Sequence, residues 1–201
     1  ITEEKGSSEI VRGKAKITAK KDGGIESMDT VETVNGVIGI TFQDDTKVQI
    51  TEQSKLVIDT FVFDPNKNTG KLAIKIALGT VKYASGQIAK DSPEQVKIET
   101  PTATIGVRGT DFSSSVDEIG RSTIILLPSC PTGWKDIEKD CVTGKIIVSI
   151  PSTGAIKWAL CPGVICEISA SCSCVTLNNF PIVPVCAGGI TFLCAFSRNS
   201  V

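Results

Sequence analysis

Apolar and polar residues alternate with a period of two through most of the first two thirds of the chain, and no stretch carries apolar residues at helical spacing. The chain is therefore predicted to be all-β. From Ile10 to Ala19 the odd positions Val11, Gly13, Ala15, Ile17 and Ala19 read as one face of a half-buried strand with a small inward surface, and Arg12, Lys14, Lys16 and Thr18 as the other. Val31 to Val34, Val37 to Phe42, Lys47 to Thr51 and Leu56 to Phe63 follow as short strands. Turns are predicted at Asn35-Gly36, Asp44-Asp45 and Asp64-Pro65-Asn66. Leu72, Ile74, Ile76 and Leu78 alternate with polar or small residues, Gly79 and Gly86 bracket a further strand, and Val96 to Thr100 forms another. Thr123 to Leu127 is apolar on both faces, the mark of a covered central strand, and Pro128 ends it. Strands this short and closely spaced predict a sandwich or barrel-like sheet.

The final third differs. From Val142 to the C-terminus only Lys145, Lys157, Glu167 and Arg198 carry charge, and all eight cysteines, Cys130, Cys141, Cys161, Cys166, Cys172, Cys174, Cys186 and Cys194, fall in or just before this stretch. Clustered cysteines in even number with no histidine anywhere point to disulfides in an oxidising compartment. Cys130 with Cys141, at the base of a polar excursion, is the favoured pair, with Cys186 and Cys194 across Gly188-Gly189 second. A four-thiolate zinc site from Cys161, Cys166, Cys172 and Cys174 is the alternative, but the usual paired two-residue spacing is missing. Strands are also expected at Ile146 to Ile150 and Ala155 to Leu160. The long uncharged run is broken by Pro181, Pro184 and the two glycines, so no membrane-spanning segment is expected.

Composition narrows function by exclusion. The 21 basic and 22 acidic residues interleave, which argues against a nucleic-acid partner. Without histidine, Ser/His/Asp and Cys/His schemes are ruled out, and the acidic pairs Asp44-Asp45 and Asp117-Glu118 read as solvated turn residues. Asp64, Asn66 and Asn68 have an alternating calcium-loop spacing but lack a second acidic ligand. The expectation is of no enzyme, no cofactor and no metal. The absence of an initiator methionine before Ile1 is read as a processed N-terminus, and hence as export to the cell surface or beyond.

The segment Thr100-Pro-Thr-Ala-Thr-Ile-Gly-Val-Arg-Gly-Thr-Asp-Phe112 resembles the signature of the FecR-type β domain. Phe42-Gln-Asp-Asp-Thr46, Ser54-Lys-Leu56, Phe61-Val-Phe-Asp-Pro65 and Gly79-Thr-Val-Lys-Tyr-Ala-Ser-Gly86 are similar to that domain's preceding elements, in order. The resemblance covers residues 9 to 127. It divides the chain into an arm (1–8), a FecR-like β domain (9–128) and a cysteine-rich β extension (129–201). Within the motif Thr100, Pro101, Ala103, Ile105, Gly106, Gly109 and Thr110 read as backbone engineering. Arg108 and Asp111 are expected to form an ion pair that pins a turn. Asp45 stands where the family commonly has glycine and is expected to accept the left-handed conformation. In FecR regulators such a domain is periplasmic, tethered to a cytoplasmic anti-sigma segment, and related domains resemble parts of exported surface proteins and phage virions.

The charge-poor tail leads to the main functional expectation: an exported structural subunit that polymerises with copies of itself into a filament or surface layer by strand addition. Its donor strands would be Ile10 to Ala19, through Val11, Gly13, Ala15 and Ile17, or Ile190 to Phe196, through Ile190 and Phe192. A phage virion protein is the alternative, and a periplasmic FecR sensor domain a further one.

Overall fold

The computed structural model describes residues 1–127 in full and, beyond them, the backbone of three strands. The elements in chain order are β1 (Glu3–Arg12), β2 (Ala15–Thr18), β3 (Thr30–Thr41), β4 (Lys47–Ile50), β5 (Ser54–Asp64), β6 (Thr69–Ala84), the short helix α1 (Gln87–Asp91), a 3₁₀ turn (Pro93–Gln95), β7 (Val96–Glu99), β8 (Thr104–Arg108), β9 (Asp111–Val116), β10 (Ser122–Leu127), β11 (Lys145–Ser149), β12 (Trp158–Leu160) and β13 (Ile165–Ile168). The fold is all-β, as the alternation predicts.

Among the described residues the strands form one continuous hydrogen-bonded sheet. Three long strands divide it into two halves. β1 pairs its end after Ser8 with the start of β3 and its beginning with the end of β3. The start of β3 then continues to β5, and its end to β4. β6 behaves alike: its first part lies between β5 and β7, its last part between β4 and β9. One half therefore runs β2-β1-β3-β5-β6-β7-β8-β11-β12 and the other β1-β3-β4-β6-β9-β10-β13. All pairs are antiparallel except β6 with β7, which α1 and the 3₁₀ turn connect.

Strands pass from one half to the other where glycine allows a bend. Gly6 and Gly36 face each other across β1 and β3 at φ +95° and +92°. A Cβ on Gly36 would sit 1.9 Å from the Lys5 carbonyl oxygen, and one on Gly6 2.2 Å from that of Asn35. The two backbones touch because neither residue has a side chain. β6 bends at Gly79, φ +80°, beside Ser54. The predicted hairpin at Asn35-Gly36 and the predicted break at Gly79 are thus bends within single strands of 12 and 16 residues.

Alternate residues from both halves fill one core, with Ile38, Ile50, Leu56, Leu72, Ile74, Ile98, Ile105 and Phe112 all essentially sealed from solvent. β10 lies between β9 and β13 and buries Ile124 and Leu126, whereas Thr123, Ile125 and Leu127 on its other face are half-buried, so the expected cover on both faces is met on one. Ile10 to Ala19 is a correction: a turn at Gly13-Lys14 splits it into a hairpin, and the buried residues are Ser8, Ile10 and Ala19, while Gly13, Ala15 and Ile17 face solvent. The turn moves the inward face to the other set of positions before it. α1 was not expected; five residues carry too little periodicity to show, yet Ile88 and Ala89 are fully buried.

Residues 1–8, the expected arm, place Glu3 to Ser8 in β1 against β3. Of the expected extension, β11 adds to β8, β12 to β11, and β13 to β10. Cys130, Cys141, Cys161, Cys172, Cys174, Cys186, Cys194, Ile190 and Phe192 lie outside the described residues. Cys166 stands opposite Ile124 in the β10–β13 register.

Candidate functional site

Three of the motif segments meet at one place, the junction of the β3–β4 turn, the end of β6 and the β8–β9 turn. Asp45 takes φ +65° in the first of these, as expected of an aspartate replacing glycine. Its neighbour Asp44 is no solvated turn residue. It is 1% exposed; Oδ1 accepts from the Thr46 amide (3.1 Å), and Oδ2 from the Thr46 hydroxyl (2.7 Å) and the Ile88 amide (3.4 Å). Its carbonyl accepts from the Gln87 amide at 2.7 Å. One aspartate thus closes the turn and receives the start of α1. Burial follows from this, because a carboxylate supplied with several donors can leave water.

Gly86 precedes α1 in van der Waals contact with the turn: a Cβ there would lie 2.3 Å from both the Asp44 carbonyl and the Thr46 nitrogen. Its amide donates to the Thr46 hydroxyl at 3.2 Å. Ser85 joins the third segment, its hydroxyl donating to the Thr110 carbonyl and accepting from the Thr110 amide (2.9 Å), while the Ser85 amide points to Asp111 at 3.4 Å. Tyr83, stacked on Phe112 with ring centres 5.2 Å apart, points into the junction. Burial pushes its phenol well above the ordinary range, against the opposing effect of the neighbouring Thr46 and Ser85 side chains.

The rest of the Thr-Pro signature has a structural explanation of the same kind. Thr100 and Ala103 close a turn through Thr100 N to Ala103 O (2.8 Å) and Ala103 N to Thr100 Oγ1 (3.0 Å). Ser122 at the start of β10 bonds both Thr100 and Thr102 at 2.8 and 2.7 Å. Pro101 leads this turn, Ile105 and Gly106 lie in β8, and Ile105 is fully buried. The expected Arg108–Asp111 ion pair is not formed: Arg108 is exposed at the end of β8, and the turn at Gly109, φ +57°, carries Asp111 into β9 opposite Ala84. Asp117 pins the β9–β10 turn instead. It accepts from the Arg121 and Ile119 amides and pairs with the Arg121 guanidinium at 2.6 Å, which holds its carboxyl below the ordinary value. Asp64 likewise serves its own turn, accepting from the Asn66 amide at 3.0 Å. Among the described residues no three His, Cys, Asp or Glu come together in a metal-binding group.

A shallow groove of about 270 Å3 over the outer face of the second half is lined by Glu3, Lys47, Gln49, Lys82, Ala84 and Asp111, among others. These are groups that bind and orient. The hydroxyl–carboxylate contact of Thr46 with Asp44 lies nearby but sealed from solvent.

A second polar cluster was missed in the sequence because its members are far apart. Asp29, fully buried, receives two hydrogen bonds from Arg12, at 2.8 and 2.7 Å, and one from the Glu26 amide at 2.8 Å. Arg12 also reaches Glu26 at 2.6 Å. Burial raises the Asp29 carboxyl, but the Arg12 hydrogen bonds, the Glu26 amide and the Arg12 charge outweigh it and leave it below 3.8. This clamp fastens the β1–β2 hairpin to the loop before β3.

The family model described as FecR protein matches residues 29–127. The match runs from the start of β3 to the end of β10, and this part of the chain is a FecR domain. The presence of that domain is consistent with a location outside the cytoplasm. No curated protein sequence matches the chain. Among solved structures, the chain is similar to two crystal structures of a candidate anti-sigma factor from Parabacteroides distasonis, at 2.50 and 1.65 Å resolution. Each is 14% identical over 69% of this chain, with TM-scores of 0.48 and 0.47. The chain spans about half the length of those proteins, 53% of each.

The FecR assignment overturns the expectation of a filament or surface-layer subunit, since it points to a signal-transducing domain. Of the expected donor segment Ile10 to Ala19, the part in β1 is already hydrogen-bonded on both sides, to β2 and to β3, while β2 pairs only with β1 among the described residues. Val11 lies in β1, whereas Gly13, Ala15 and Ile17 belong to the turn and to β2.

Proposed function

We propose that this chain is the sensor part of a FecR-type regulator, working in the periplasm and acting by binding a partner protein rather than by catalysis. The observation that carries the reading is the family match across β3 to β10, most of the fully described sheet. The resemblance implies that such a domain is coupled to a cytoplasmic anti-sigma segment. Eight cysteines and no histidine suit an oxidising compartment and leave the usual general base out. The motif residues serve an internal junction, so recognition falls to the groove and the sheet edges around it. Among the described residues no helix is long and apolar enough to cross a membrane.

Transcript profiling of the host with the gene deleted, and again with it restored, tests this. A defined set of transcripts should change and return on restoration. Identical profiles in all three strains would refute the reading.

A further inference from the structure

We propose that the outer edge of β2 is a docking edge, at which an acidic, extended segment of a partner protein adds as the next strand. The proposal rests on the sensor reading for the existence of a protein partner, and on the following geometry for the place.

β2 ends the first half of the sheet. β1 covers one of its sides, no described strand covers the other, and all four residues are exposed. Ala19 N donates to Ser8 O, and the turn closes on Arg12 and Ala15, so the hydrogen-bonded pairs of the hairpin are 8 with 19, 10 with 17 and 12 with 15. By the alternation of an antiparallel ladder, the amides and carbonyls of Lys16 and Thr18 then point away from β1 toward solvent. The hairpin that carries them is held rigid by Arg12 on Asp29 and Glu26. Rigidity lowers the cost of binding, because the edge need not be ordered first.

Charge selects the partner. Residues 12–21 include Arg12, Lys14, Lys16, Lys20 and Lys21 and no acid, in a chain of net charge −1. On the outer face of the same half most lysines are matched, Lys55 with Glu32, Lys75 with Asp59 and Glu99, Lys97 with Glu99, while Lys71 near the start of β6 has no ion pair among the described residues. At the edge, Arg12 and Lys16 have partners, but Lys14, Lys20 and Lys21 form no ion pair among the described residues. Lysines on an edge strand ordinarily keep other strands off. They repel neutral and basic strands by desolvation and charge, and they favour an acidic one, so the same residues act as a filter. Ile17, 40% exposed in the middle of the strand, supplies the apolar contact.

The test titrates the full chain with a fluorescent peptide of about ten residues alternating glutamate and valine, beside a lysine–valine control. The acidic peptide should bind, the control should not, and the Lys16 and Thr18 amides should exchange more slowly in the complex. Thr18→Pro removes an outward amide and should weaken binding about tenfold with the melting temperature unchanged. Lys14→Gln, Lys20→Gln and Lys21→Gln together should weaken it comparably and flatten its salt dependence. No binding, or no slowing of the two amides, overturns the proposal. So does capture of the chain by phosphatidylglycerol vesicles but not by the peptide, or binding lost only because copies of the chain pair at this edge. A failed titration beside an intact transcript response removes the docking edge alone; a missing transcript response removes the sensor reading itself.

Discussion

Adjacent aspartates in the β3–β4 turn should respond in opposite ways to substitution. Asp44→Ala deletes the acceptors of the Thr46 amide, the Thr46 hydroxyl and the Ile88 amide, all in a site sealed from water. Hydrogen bonds to a charged acceptor contribute about 1.5–3 kcal/mol each, and the 3.4 Å contact contributes little. Recovering the carboxylate's desolvation offsets part of the two shorter bonds, and stranded donors add to the cost, for a net loss of about 2–4 kcal/mol. That is a large share of the roughly 5–15 kcal/mol that holds a domain of this kind together. Asp45→Gly should instead leave stability unchanged or raise it by up to about 1 kcal/mol, because Asp45 is exposed and sits at φ +65°, where glycine is unstrained. Urea unfolding of both variants, followed by tryptophan-independent far-ultraviolet circular dichroism, reads the difference as a shift in midpoint at constant slope. Equal losses at the two positions, or a greater loss at Asp45, would refute the role given to Asp44.

The Gly6–Gly36 crossing predicts that Gly36→Ala costs about 2–5 kcal/mol, from a left-handed backbone and a 1.9 Å approach to the Lys5 carbonyl; a midpoint within error of the parent would contradict the bend. Asp29 has a carboxyl held below 3.8, so its stabilisation is present above that value and is lost as pH falls through the lower, folded one. Asp29→Asn should remove this acid-limb dependence and lower stability near neutral pH, and a variant whose acid limb matches the parent's would count against the clamp. Arg108→Ala should leave the unfolding midpoint within about 0.5 kcal/mol, since the exposed guanidinium makes no ion pair with Asp111; a larger loss measured by the same titration would restore the pair.

Much of the sheet was legible in the sequence, and the failures share a cause. Period-two alternation reports which residues share a face, and it placed β4, β5, β7 and β10 within a residue or two. It does not report whether a glycine ends a strand or bends it. Asn35-Gly36 has the composition of a hairpin turn, yet Gly6 lies opposite and the two glycines let β3 continue. The reverse happened at Gly13, where a turn inside an apparently continuous pattern made two strands of one and placed Ile10, not Val11, in the core. Local composition cannot separate these cases, because the deciding contact comes from a distant strand.

The site was legible as motifs but not as chemistry. Phe42 to Thr46, Gly79 to Gly86 and Arg108 to Asp111 were singled out separately, and the structure brings them to one junction. An aspartate pair in a turn reads as solvated unless the donors that bury one member are known, and here a donor comes from Ile88, 44 residues away. The Arg12–Asp29 clamp spans 17 residues and left no pattern. The charge-poor tail drew the functional expectation toward polymerisation, whereas the family relation resides in the alternating region before it.

The most direct test of the account replaces the genomic copy with Asp44→Ala and compares its transcripts with those of the deletion and the parent. At a growth temperature where the Asp44→Ala domain is unfolded and the parent's is folded, the variant should reproduce the deletion's transcript changes, and Asp45→Gly should keep the parent's profile. Parent-like transcripts in an Asp44→Ala strain whose domain is shown to be unfolded would contradict the claim that this domain carries the signal.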